Sequence, residues 1–103
     1  MGEFVKVGVT AEFDNLQGGK QVEAGGQSIA VFRVGEAYYA IENTCPHRGG
    51  PLGEGDLQGT VVTCPWHGWQ FDVTTGISPI NPAAKVRKYP CKVEGGSVCI
   101  EVD

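Results

Sequence analysis

Hydrophobic positions along the chain fall in short runs, most of them alternating with polar residues, and pairs of turn-forming residues separate the runs. A period of two is the mark of a strand with one face covered, so the pattern predicts strands over residues 4–9, 20–24, 28–34, 37–42, 60–64, 69–73, 86–93 and 98–102. Gly25-Gly26, Gly35-Glu36, Thr75-Gly76 and Gly95-Gly96 supply the turns between them. Helix is confined to a turn over residues 11–16. In the 28–34 run Ile29 and Val31 project to one side, and Ala30, Phe32 and Val34 to the other. A strand that is apolar on both sides needs cover on both, which places it at the centre of a sandwich or barrel. The expected fold class is all-β, an antiparallel β-sandwich or barrel.

Two stretches break the rhythm. Residues 43–59 read NTCPHRGGPLGEGDLQG, too rich in Gly and Pro for a strand and longer than the loops that usually join strands. Cys64-Pro65-Trp66-His67-Gly68 lies between two predicted strands and reads as a hairpin tip. Each stretch carries one Cys and one His.

Composition narrows the function classes. At 103 residues and 41% hydrophobic content the chain is expected to be one domain over 1–103. Twelve acidic against eight basic side chains leave a net charge of −4, which gives nucleic acid no electrostatic footprint and favours a partner with a basic docking face. Residues 1–72 carry −5 (four basic, nine acidic) and residues 73–103 carry +1 (four basic, three acidic), so charge is polarised along the chain. No stretch approaches the roughly 20 apolar residues of a membrane helix, and residues 1–10 lack a leader pattern. A cytoplasmic location with no membrane contact is the expectation. Four Cys allow a disulfide framework, but two of them stand beside the only two His, which favours metal.

The metal pattern is Cys45-x-His47, then 16 residues, then Cys64-x-x-His67. Pro46 and Pro65 restrict φ next to each Cys, and Gly49, Gly50 and Gly68 let backbone approach a bound group closely and point N–H groups at sulfur. Matched order in two Pro/Gly loops argues against four unrelated residues. Tetrahedral zinc would accept the donor set, yet zinc modules usually pair like ligands and often seat the His pair on a helix. Blue copper takes one Cys and usually an axial Met, and the only Met is Met1. The remaining reading is an iron–sulfur centre in which two His replace two Cys on one iron.

C-P-H-R-G at residues 45–49 and C-P-W-H-G-W at residues 64–69 resemble the two ligand loops of the Rieske [2Fe-2S] family in order and spacing. The likeness runs over roughly residues 4–102 and is densest from 45 to 72. It implies a cluster-binding subdomain over about 43–84, with two ligand-bearing loops at one end of the sandwich. Cys45 and Cys64 would hold the inner iron, His47 and His67 the outer one. Residues 78–84, SPINPAA, are similar to the family's third, Pro-containing loop over the cluster.

With two thiolates and two neutral imidazoles the oxidised cluster has zero net charge, whereas four thiolates would give −2. An electron enters a neutral cluster more easily, hence a Rieske range of about −150 to +300 mV against about −400 mV for plant-type clusters. High-potential members of the family carry an extra Cys pair and hydroxyl donors to the cluster. Here those positions hold Gly50, Trp66, Trp69 and Phe71, so the expected potential is near the low end.

The resemblance implies a one-electron carrier between a flavin-dependent reductase and a terminal oxygenase, monomeric and not itself an enzyme. The small subunit of an assimilatory NADH-dependent nitrite reductase is the alternative in the same class, and a zinc-stabilised interaction module the alternative in another. Trp66 and Trp69 flank His67 as shield, docking surface or plain packing; Arg48 is a docking charge or a solvated loop residue. Glu54 and Asp56 follow the first loop as part of an acidic rim or, more simply, as exposed turn residues. Cys91 and Cys99, around the Gly95-Gly96 turn, are expected to be free thiols buried as small hydrophobes. A two-residue turn there would pair Cys91 with Ile100 and send the two thiols to opposite faces, whereas a three-residue turn would set them opposite each other.

Overall fold

A computed structural model describes residues 3–13, 19–44, 51–65 and 68–102. Ten strands are present among them: β1 (Glu3–Val9), β2 (Gly19–Ala24), β3 (Gln27–Val34), β4 (Ala37–Glu42), β5 (Asp56–Gln58), β6 (Val61–Thr63), β7 (Gln70–Asp72), β8 (Lys88–Tyr89), β9 (Cys91–Glu94) and β10 (Ser97–Val102). Two 3-10 turns, Thr10–Phe13 and Leu52–Glu54, complete the described elements. The strands form three antiparallel sheets, ordered β1-β10-β9, β2-β3-β4-β8 and β5-β6-β7. No helix among the described residues is long and apolar enough to cross a membrane.

The four-stranded sheet is the middle layer, and β3 shows why. Its Ala30 and Phe32 join Ile41, Leu52, Val62, Cys64 and Phe71 in one core, toward the β5-β6-β7 sheet. Its Ile29 and Val31 join Ala40, Val98, Ile100 and Phe13 in a second core, toward β1-β10-β9. All four β3 residues are fully buried, as the unbroken apolar run required. Tyr38 and Tyr39 divide in the same way, one packed against each core.

The hairpins follow from glycine pairs. Gly25 and Gly26 have φ of 59° and 75°, and Gly95 and Gly96 have 54° and 81°. Positive φ at both central residues is what a two-residue turn needs to match the strand twist, and only glycine adopts it without strain. The Gly95-Gly96 turn sets Ser97 opposite Glu94 and Ile100 opposite Cys91, so Cys91 and Cys99 occupy opposite faces.

Several expectations need correction. The run 86–93 is two strands in two sheets: β8 pairs with β4, and β9 pairs with β10. Pro90 stands at the break, where its missing N–H interrupts a ladder while its carbonyl still accepts from Glu101 N–H at 2.9 Å. The long stretch 43–59 is not all loop, since it holds the second 3-10 turn and β5. The helical turn begins at Thr10 and is 3-10 as far as Phe13; residues 14–16 lie outside the described residues. Cys91 and Cys99 are free thiols but only half-buried, because β9 is an edge strand and Cys99 points to the outer face.

Candidate metal centre

The first Cys/His stretch follows the end of β4 and precedes the second 3-10 turn. Cys45, His47 and the rest of residues 45–50 lie outside the described residues, but both ends of the stretch are described. Thr44 pairs with Pro51 in an isolated antiparallel bridge, and Leu52 N–H donates to the Asn43 carbonyl at 2.7 Å. Leu52 then enters the core that contains Cys64. The exit of one ligand stretch and the start of the other therefore share a core.

The second stretch is the tip of the β6–β7 hairpin. Thr63 pairs with Gln70, and Cys64 N–H donates to the Trp69 carbonyl at 2.6 Å, closing the tip at its base. Cys64 is 1% exposed and packed in the first core. Trp66 and His67 lie outside the described residues. Gly68 has φ +73° with open space around its Cβ position, so backbone conformation and not crowding makes glycine the fitting residue. Gly55 is fixed by the opposite cause: a Cβ there would stand 2.3 Å from the Thr63 carbonyl oxygen, because the 3-10 turn runs close against β6.

The third stretch, residues 78–84, folds on itself opposite the hairpin tip. Ser78 is buried, and its hydroxyl oxygen accepts from Ile80 N–H at 3.3 Å and Asn81 N–H at 3.2 Å. Ser78 N–H in turn donates to the Ala84 carbonyl at 2.9 Å. Between this stretch and the hairpin tip lies a cleft of about 370 Å³, lined by Gly68, Trp69, Gln70, Ser78, Ile80 and Asn81. Ile80, at 71% exposed, is the most open large apolar side chain described. Trp69 is half-buried, packing on the first core while lining the cleft. Glu54 and Asp56 are exposed, as expected, and Phe71 is wholly buried behind Cys64. Arg48 lies outside the described residues.

Resolved pKa shifts fall on other layers. The Lys20 ammonium and then the Val9 N–H hold the Glu12 carboxyl below its ordinary value, and Lys92 does the same for Glu94. Burial first, and the nearby Cys99 second, push the Cys91 thiol up to about 11.

Sequence reasoning passed over Asn43. It is 6% exposed and makes three side-chain hydrogen bonds at the root of the first ligand stretch. The only signal was a polar residue at the end of an apolar strand, which its polarity assigns to solvent although its parity with Tyr39 and Ile41 turns it inward.

Among the described residues the structure places one donor, the buried Cys64 thiol at a glycine-turned hairpin mouth, with the exit of the first stretch anchored in the same core; the sequence supplies the nitrogen donors His47 and His67, and the set suits a mixed sulfur and nitrogen centre. Residues 3–90 match the Rieske [2Fe-2S] domain family. The chain is 44% identical over 78 residues to the ferredoxin CarAc of Metapseudomonas resinovorans, a match covering 76% of this chain and 65% of that one. It is 34% identical to the ferredoxin component of the naphthalene 1,2-dioxygenase/salicylate 5-hydroxylase systems of a Ralstonia species, over 80% of each chain. Among solved structures, a chain in the complex of reduced oxygenase and oxidised ferredoxin in carbazole 1,9a-dioxygenase superposes with a TM-score of 0.85. It is 33% identical, over 95% of this chain and 92% of that one. The putative NADH-dependent nitrite reductase small subunit of Mycobacterium tuberculosis has a TM-score of 0.90 at 20% identity, over 100% of this chain and 97% of that one, and so shares the fold alone. The sulfur and nitrogen donors, the doubly covered middle sheet and these matches converge: the chain belongs to the Rieske [2Fe-2S] domain family, whose cofactor is a single mixed-ligand cluster.

Proposed function

We propose that this chain is a one-electron carrier that takes electrons from a flavin-dependent reductase and delivers them to a terminal oxygenase. Cys45 and Cys64 hold one iron of the cluster through thiolates, and His47 and His67 hold the other through imidazoles. When bound, the cluster supplies reversible one-electron storage; the chain's own residues fix its place and its exposure. Buried Cys64, backed by Phe71 and Val62, seats the sulfur end in the first core. Gly68, next in sequence to His67, lines the cleft, and the acceptor would dock over this end of the chain. The observation that carries the reading is the seating of Cys64 in a core shared with the exit of the first ligand stretch, within a chain matching ferredoxin components along most of its length.

The reading takes residues 1–103 as one domain with its cluster-binding part at about 43–84, acting as a monomer in the cytoplasm. Free Cys91 and Cys99 suit a reducing compartment. Its potential lies near the low end of the Rieske range, since Phe71 and Trp69 offer no hydroxyl to the cluster.

The test is direct. Purified protein should contain two irons and two acid-labile sulfides per chain, with a midpoint potential below zero. Colourless protein carrying one zinc overturns the assignment, and a midpoint well above zero overturns the low-potential reading. Exchanging His67 for Cys should lower the potential of the assembled cluster, because a thiolate adds negative charge.

A further inference from the structure

We propose that Asn43 is a positioning residue for the cluster, acting as a clamp that holds both ends of the first ligand stretch against the middle sheet. The inference rests on the assignment of Cys45 and His47 as ligands. Asn43 lies two residues before Cys45, and its contacts reach three segments. Its amide nitrogen donates to Gln21 Oε1 at 2.9 Å on β2 and to Ser28 Oγ at 3.1 Å on β3. Its amide oxygen accepts from Gly53 N–H at 2.7 Å, beyond the far end of the stretch. Its backbone repeats the tie, with Asn43 N–H donating to the Ser28 carbonyl at 3.1 Å and Leu52 N–H donating to the Asn43 carbonyl at 2.7 Å.

An amide has two donors and one carbonyl acceptor, and here all three functions are used in a nearly water-free position. The hairpin stretch needs no such device, since β6 and β7 already hold its two ends in register. Among the described residues the ends of the first stretch are paired as strand at the single Thr44–Pro51 bridge, and a lone bridge fixes the spacing of two ligands less firmly than a ladder does. Gly53 completes the clamp: a Cβ there would meet Gln21 Cγ at 2.5 Å and Asn43 Oδ1 at 2.9 Å, so a side chain would push the donor N–H away.

The chemistry separates a clamp from a filler. In Asn43→Asp the carboxylate still accepts from Gly53 N–H, while the Ser28 hydroxyl can rotate and the Gln21 amide can flip to donate. Asn43→Ala abolishes all three side-chain bonds. Gly53→Ala breaks the clamp from its other end with Asn43 intact.

The experiment measures the rate at which a chelator bleaches the oxidised cluster, together with the line shape of the reduced-state EPR signal. Asn43→Ala and Gly53→Ala should bleach about 10-fold faster or more, with broadened EPR lines, as for residues that orient metal ligands. Asn43→Asp should stay within about 3-fold of the parent, the scale of one altered hydrogen bond. Val98→Ala, wholly buried in the other core, should unfold at lower denaturant yet bleach at the parent rate. If Asn43→Ala does not fold, Ser28→Ala loses one acceptor only and should bleach about 2–3-fold faster. Folded Asn43→Ala with parental bleaching and EPR, parental bleaching in Ser28→Ala, or equal damage from Asn43→Asp and Asn43→Ala each overturns the clamp. Cys45→Ser distinguishes the underlying reading: a cluster retained in that variant sinks the ligand assignment, whereas its loss beside a parental Asn43→Ala sinks only the clamp.

Discussion

The two cores are built from one strand and opposite parities. Around Cys64 the walls are strands of three residues and a three-residue 3-10 turn, brought close by glycines that tolerate no side chain. On the other side of β3 the walls are the longer strands β1 and β10, whose ladder is interrupted once between Lys6 and Gly8, and among the described residues Cys64 stays out of that core. Both cores contribute to stability, and on the proposed ligand set only the one around Cys64 also borders the cluster. The expected rule is that substitutions at even-numbered β3 positions disturb the cluster and those at odd-numbered positions do not.

That rule is broken or sharpened first by large truncations. Phe32→Ala and Val31→Ala remove neighbouring, fully buried side chains facing opposite cores. Phe32→Ala should cost about 3–5 kcal/mol and also lose cluster from the molecules that remain folded. Val31→Ala should cost about 2–3 kcal/mol with iron content per folded molecule unchanged. Chemical denaturation beside iron analysis checks both, and equal iron loss in the two variants would remove the separation.

Gly55→Ala should come next, at about 1–3 kcal/mol, because backbone at 2.3 Å cannot yield as a side chain does. Its bleaching rate should rise with it. Gly68→Ala meets no neighbour but forces a left-handed φ on alanine, a cost of about 1–2 kcal/mol by denaturation.

The smallest effects are titrations in the layers away from Cys64. Cys91 has its thiol pKa raised from 9.0 to about 11, so its contribution is complete below pH 9 and lost as pH rises toward 11. Cys91→Val should flatten the alkaline fall in denaturation midpoint between those values. Glu12 is shifted the other way, so its contribution is present above about pH 4.5 and lost as pH falls below it. Glu12→Gln should reduce the acid sensitivity of the midpoint, and both variants should leave the cluster spectrum unmoved at neutral pH.

Much of this arrangement was legible in the residues, for identifiable reasons. Turn residues at Gly25-Gly26 and Gly35-Glu36 bounded β3 and β4 to within a residue, and the two-sided apolar run of β3 revealed the middle layer. β8 was not legible, because a two-residue strand has no period and its partner β4 lies more than 40 residues away. β5 escaped for a related reason: Leu57 is its single apolar residue, and only pairing with β6 makes it a strand. At the candidate site, spacing singled out Cys64 and the hairpin tip. It could not single out Asn43, whose importance comes from Gln21, Ser28 and Gly53 converging from distant positions.

One pairing has a wider consequence. Glu3 lies opposite Val102, so β1 and β10 bring the two ends of the described chain to within about 5 Å at Cα, on the sheet farthest from the cluster-binding layer. A host polypeptide would need only one doorway to admit the whole module, entering and leaving through adjacent threads without stretching either. The same proximity makes a short splice between the ends, with new ends opened in a distant turn, a rearrangement the redox face would not feel.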